Sequence, residues 1–149
     1  MRRLLAILFV AATMLACESN SIVNPVPNYP VSMELNILGE YPHFTTANIG
    51  ASLTFTTPRY PTERVGYAGL LLFVNFNEAY CAFDLCCPHC VDRNHPIEVD
   101  GIFAKCPLCG EEYDLSYGLG VPSKGIAENY LKTYKSSYNS ASGKLVIYN

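Results

Sequence analysis

Cys86-Cys87-Pro88-His89-Cys90 and Cys106-Pro107-Leu108-Cys109-Gly110 are two cysteine turns joined by one short hairpin. Taken as thiolates, Cys87, Cys90, Cys106 and Cys109 give C-x2-C-x15-C-x2-C, the spacing of a four-thiolate metal site. Pro88 and Pro107 fix φ inside each turn and help both sulfurs face the same way. Gly110 lets the chain take φ > 0 and turn an amide toward a sulfur. Pairing residues i and i+3 as a disulfide is geometrically poor, so metal binding outranks a disulfide framework for these four. Cys81 alternates with Phe83 and Leu85 on one strand face and reads as a small core residue. Cys86 adjoins the site as a spare thiol or a substitute ligand.

The flanking sequence reads as strands. Ile97-Glu98-Val99 and Ile102-Phe103-Ala104 bracket Asp100-Gly101, a strong short hairpin signal that delivers Cys106. Upstream, the apolar run Gly69–Phe76 has the length of a central strand, with Ala79–Asp84 as its return. Val31–Ile37 alternates apolar and mostly polar residues, and Ala51–Thr57 is strand-like and rich in Thr. Residues 40–50 and 58–66 read as loops. Downstream, Glu111–Leu115 is a strand, Gly118–Gly125 is loosened by glycine, and Leu131–Tyr138 with Lys144–Tyr148 forms a last hairpin. No helical period is sustained beyond the leader. The fold class expected is all-β, an antiparallel β-sandwich with a metal-binding part over about residues 80–117 that resembles a rubredoxin or zinc knuckle.

The N-terminus reads as a means of delivery. Met1-Arg2-Arg3 is a basic start, and Leu4–Ala12 is an apolar run too short to stay as a spanning helix. Met14-Leu15-Ala16-Cys17 resembles a bacterial lipobox, with Met in place of the usual Leu. Residues 1–16 are therefore expected to be a signal peptide, Cys17 the lipidation site, 17–30 an extended Pro-rich tether and 31–149 one domain. The protein is placed on the bacterial cell envelope, lipid-anchored to a membrane. The 149-residue chain carries a formal net charge of -3. Its acidity argues against nucleic acid as a partner.

From about Gly66 to Asn149 the chain resembles a Rieske domain. Tyr80–Asp84 looks like the strand before the first ligand pair, and Cys87-Pro88-His89 fits that family's C-x-H. Cys106-Pro107-Leu108-Cys109-Gly110-Glu111-Glu112-Tyr113-Asp114 resembles its C-P-x-H-G-x-x-F-D, with Cys109 where the second His should stand. Gly118–Gly125 and Leu131–Tyr134 resemble later segments, whereas residues 31–65 have no counterpart. The resemblance implies a [2Fe-2S] cluster on Cys87, His89, Cys106 and Cys109, one-electron transfer, and a redox partner protein in the envelope. The residues themselves leave two alternatives open. One is structural Zn2+ on Cys87, Cys90, Cys106 and Cys109, with a single iron as a variant, in a non-redox binding or scaffold lipoprotein. The other is a site without metal.

His43 and His95 read as surface residues, and Asp84, Glu111, Glu112 and Asp114 as charges at strand edges. No paired carboxylates, Ser/His/Asp arrangement or phosphate loop stands out, so an enzyme in isolation is not expected.

Overall fold

The computed structural model describes residues 23–149; the leader, Cys17 and the first residues of the tether lie outside them. The strands are β1 (Val31–Asn36), β2 (Ser52–Phe55), β3 (Arg64–Val65), β4 (Leu70–Val74), β5 (Tyr80–Asp84), β6 (Glu98–Asp100), β7 (Phe103–Lys105), β8 (Glu112–Asp114), β9 (Val121–Lys124), β10 (Thr133–Asn139) and β11 (Lys144–Tyr148). They form a seven-stranded sheet in the order β2-β4-β5-β10-β11-β1-β3 and a four-stranded sheet in the order β6-β7-β8-β9. Every pairing is antiparallel. The expected all-β architecture is the one observed.

The large sheet curls on itself. Leu35 of β1 and Ile147 of β11 share a core with Leu70 and Leu72 of β4. At about 4.8 Å per strand a flat sheet would hold β1 and β4 roughly 19 Å apart. The opposite face of β4 is buried as well. Leu71 and Phe73, with Phe83 of β5, pack into a second core with Ile97, Ala104, Tyr113, Leu115 and the cysteines Cys87 and Cys106. This is why Leu70–Val74 is apolar without alternation: one face serves the curled sheet and the other serves the cysteine subdomain. The alternation of β1 and β11 marks strands buried on one face only.

Residues 31–65, unexplained by the resemblance, complete the large sheet. β1 pairs with β11, β2 with β4, and the short β3 lies inside a stretch expected to be loop. Ile37–Glu40 is a single helical turn, α1, capped by the Asn36 side chain, which accepts from Gly39 N–H at 3.1 Å. It is too short to show a helical period. β9 falls in the glycine-rich stretch. It is an edge strand, and a register irregularity in its pairing with β8 accommodates Pro122. The expected tether is laid onto the domain over its described part. Val26 is buried, and the Lys132 ammonium donates to the carbonyls of Val26 and Pro27 and to Asn28 Oδ1.

Asp84 joins the two layers. Its side chain is fully buried at the end of β5. Oδ1 accepts from Ala68 N–H at 3.1 Å and Cys86 N–H at 2.8 Å, and Oδ2 from Tyr67 N–H at 2.7 Å and the Tyr134 hydroxyl at 2.6 Å. Burial and the adjacent Asp84 both push the Tyr134 phenol up, keeping it a donor. A Cβ on Gly66 would come within 2.6 Å of Asp84 Oδ2, so glycine lets the 66–68 segment approach this closely. Asp84 is thus an anchor and not the strand-edge charge expected from sequence; the position alone could not reveal donors arriving from two other segments.

Asp84→Ala strands the buried N–H groups of Ala68 and Cys86, the part-buried N–H of Tyr67 and the buried Tyr134 hydroxyl. It should destabilise the domain by about 3 kcal/mol or more in urea titrations. Asp84→Asn keeps one acceptor oxygen at the same size and should fall between that variant and the native protein.

Candidate metal centre

Leu85 leads from Asp84 into the first cysteine turn. Its N–H donates to Gly69 O and its carbonyl accepts from Ile97 N–H, each at 2.9 Å, so the entry and exit of this loop are fixed to neighbouring strands. Within the loop Val91 N–H donates to Cys87 O at 2.9 Å; within the second loop Gly110 N–H donates to Cys106 O, also at 2.9 Å. Val91 has φ +49° and Gly110 has φ +76°. The two loops are therefore the same local structure used twice, with Val91 in the place of Gly110. A left-handed conformation is costly for a β-branched residue. The residues on either side of Val91 over-determine its position, since Cys87 and Ile97 are both held in the core.

The two loops face each other and bring four sulfurs together. Cys87 Sγ lies 3.6 Å from Cys109 Sγ, and Cys90 Sγ lies 3.5 Å from Cys106 Sγ and 3.7 Å from Cys109 Sγ. All four lie within 4.8 Å of one another. A tetrahedral ion with metal–sulfur bonds of about 2.3 Å requires edges of about 3.8 Å. The group therefore has the dimensions of a site for one ion. Cys87 and Cys106 are buried and Cys90 and Cys109 are half-buried, so the group runs from the core to the surface.

Of the residues singled out in the sequence, Cys87, Cys90, Cys106 and Cys109 come together. His89 is exposed on the first turn and stands outside the group. Cys86 is buried with its thiol near Cys87 O at 3.6 Å, and Cys81 receives the Asn75 amide at 3.2 Å; neither joins the four. His95 is paired with Asp92 at 2.8 Å. Among the described residues no cysteine is paired in a disulfide.

The polar surroundings distinguish the sulfurs. Burial pushes the Cys87 thiol up, but the Tyr113 hydroxyl at 3.3 Å and the N–H groups of Cys90 and His89 outweigh it and leave the thiol below its usual range. Cys87 is the sulfur best prepared as a thiolate. Burial and the neighbouring sulfurs push Cys90 up. Cys109 is pushed up to about 11, first by burial, against a hydrogen bond from Glu111 N–H. Cys86 is pushed up to about 12 by burial and by Asp84, which keeps it a neutral thiol. Without a cation, several sulfurs this close cannot all ionise, because each new negative charge faces the others. A metal ion held by the four would supply the missing positive charge.

Sequence reasoning missed two supports. Tyr113 is fully buried, with its hydroxyl on Cys87 Sγ. Glu111 is also buried. Its carboxylate accepts from Ile126 N–H and Ala127 N–H at 2.9 Å, which hold it below the usual carboxylate range, while its carbonyl accepts from Cys106 N–H at 2.8 Å. Glu111 thereby ties the 125–127 loop to the second cysteine turn. Only Asp84 left a local trace: an Asp two residues before Cys86 has the spacing at which its side chain accepts from a turn N–H.

No family model and no curated protein matches the chain. Solved structures that the chain resembles in part include a chain from the complex of reduced oxygenase and oxidized ferredoxin in carbazole 1,9a-dioxygenase, 15% identical, covering 79% of this chain and 93% of that one, with a TM-score of 0.48. The Sphingomonas yanoikuyae B1 ferredoxin is 17% identical over 70% of this chain and 93% of its own, with a TM-score of 0.43. A Mycobacterium tuberculosis protein assigned as the small subunit of an NADH-dependent nitrite reductase is 9% identical over 81% and 96%, also with a TM-score of 0.43. At these identities and scores the functional assignment rests on the site itself. The fold and site define an all-β domain with a four-cysteine centre at the edge of its second core.

Metal binding requires the four thiols as thiolates, and protons compete for Cys90 and Cys109 above all. Metal occupancy should therefore fall as pH falls, with proton release on reloading, as measured by metal retained after dialysis at stepped pH. Cys106→Ala leaves three ligands and a void in the core. It should lower both metal content and melting temperature; an unchanged melting curve, with metal absent from both the native protein and the variant, would show that the cysteines hold no ion.

Proposed function

We propose that this chain is a small electron carrier that holds one iron ion on Cys87, Cys90, Cys106 and Cys109 and exchanges single electrons with a redox partner protein. The observation that carries this reading is the compact group of four sulfurs, two of which reach the surface. A tetrahedral set of thiolates held from both turns changes little between ferric and ferrous iron, so electron transfer requires little rearrangement of the protein. The half-buried Cys90 and Cys109, beside the exposed Leu108 and His89, offer a short path to a docked partner. The [2Fe-2S] cluster implied by the Rieske resemblance divides its terminal ligands between two irons. Four sulfurs mutually within 4.8 Å, with His89 exposed, fit that cluster poorly.

A second reading, structural zinc, is favoured by a different observation. The strands of the small sheet have three or four residues, and Cys87 and Cys106 belong to the core beneath them. An ion joining the two loops would supply the cohesion that such short strands lack. On that reading the domain is a binding or scaffold module without redox chemistry.

Metal analysis with a visible spectrum decides between them. About one iron per chain, with a charge-transfer band bleached by dithionite, supports the carrier; one zinc and no colour replaces it with the structural reading. In either case Cys90→Ala should lose the ion and His89→Ala should keep it. The reverse pattern would restore the cluster with an imidazole ligand.

The envelope location remains part of the proposal and rests on Arg2, Arg3, the apolar run and the Met14–Cys17 motif. Among the described residues no helix is long and apolar enough to cross a membrane. In cell fractionation Cys17→Ser should move the protein from the membrane pellet to the soluble fraction. A variant that still pellets would place the anchor elsewhere.

A further inference from the structure

A groove of about 570 Å³ opens beside the first cysteine turn, between the segment entering β1, the loop after β2, residues 64–69 and the loop that follows Cys90. Its size lies within the range of about 300–1,000 Å³ typical of small-molecule sites. No carboxylate lines it, although the chain has thirteen acidic residues against ten Lys and Arg. Two arginines do, Arg64 and Arg93.

The carboxylates near the groove are engaged with other partners. Glu63 and Glu40 pair with Arg59, Asp92 pairs with His95, and Asp84, below the floor at Tyr67 and Ala68, has its four donors. Among the described residues neither Arg64 nor Arg93 has a carboxylate oxygen within 4.0 Å. Both are nevertheless held. Arg64 Nη1 donates to the carbonyls of Pro61 at 2.8 Å and Glu63 at 2.6 Å, which position the guanidinium without neutralising it. The Arg93 guanidinium lies 5.5 Å from the centre of the Tyr67 ring, which in turn meets Tyr29 edge-on at 5.2 Å. The result is two guanidinium groups without a carboxylate partner beside an aromatic wall, with Thr56 and Thr57 also lining the groove.

We propose that this groove is a binding site for a small organic anion. A carboxylate or phosphate group sits between Arg64 and Arg93, and the apolar body of the molecule rests against Tyr29 and Tyr67. Guanidinium groups suit such anions because their planar fork donates two parallel hydrogen bonds to one head group. Lysines would supply the charge without that geometry. The assignment is independent of which ion the cysteines hold.

Calorimetric titration of the metal-loaded protein with phenyl phosphate and with benzoate tests it, with benzyl alcohol as the uncharged counterpart. At least one anion should bind saturably and at least tenfold more tightly than benzyl alcohol; whichever anion binds more tightly names the head group. Arg64→Gln and Arg93→Gln should each weaken that binding at least fivefold, with melting temperature and metal content unchanged. Lys135→Gln, on β10 beside Tyr148, should leave it as it was. NMR shift mapping on the unaltered protein gives a readout that needs no variant: the perturbed amides should centre on Tyr67, Ala68 and Asn94. Absence of saturable binding by both anions overturns the proposal. So does binding that both arginine variants retain, or a perturbed region centred elsewhere.

Discussion

The buried carboxylate of Asp84 is the constraint on which the cysteine subdomain depends. It ends a strand that belongs to both cores, accepts from the segment that enters β4, and receives the hydroxyl of a β10 tyrosine. The last of its donors, Cys86 N–H, already belongs to the first cysteine turn. An unpaired buried charge would cost several kcal/mol, so four donors must be delivered at once, and delivering them fixes where the turn begins. The position of Cys87 follows from packing that lies far from it in sequence.

Metal binding on the four cysteines would add a second, independent closure. The first loop leaves the large sheet and returns to the small one; the second joins two strands of the small sheet. A single ion held by the four cysteines would fasten them together at their tips, while Glu111 secures the second loop from behind through Ile126 and Ala127. Such an ion would add directional bonds to a sheet whose strands have only three or four residues. Burial at about 25 cal/mol per Å² favours long strands, whereas thiolate–metal bonds need only four correctly placed side chains.

Electrostatics divides the cysteines by role. Cys87 receives hydrogen bonds from Tyr113 and two backbone amides, which favour its thiolate, whereas Cys86 next to it is surrounded by apolar groups and Asp84, which favour its thiol. One residue of sequence separates a prepared ligand from an inert neighbour. The same contrast separates the two arginines of the groove from Arg59, whose charge is consumed by Glu63 and Glu40.

The sequence by itself determined the all-β class, the Asp100-Gly101 hairpin, the two cysteine turns and the four sulfurs of the Cys87, Cys90, Cys106 and Cys109 spacing. These are local properties: period-two alternation, φ-fixing proline, glycine at positive φ, and ligand spacing inside short loops. It could not choose between His89 and Cys90, because both lie on the same turn and only the facing loop decides which side chain points into the group. It could not show why β4 is apolar throughout, since both of its faces are covered by segments distant in the chain. Asp84, Glu111 and Tyr113 read as ordinary strand residues until tertiary structure brought their partners to them. The groove lined by Arg64 and Arg93 is likewise a product of the fold alone, assembled from four separate segments whose charges acquire meaning only when the neighbouring carboxylates are seen to be occupied.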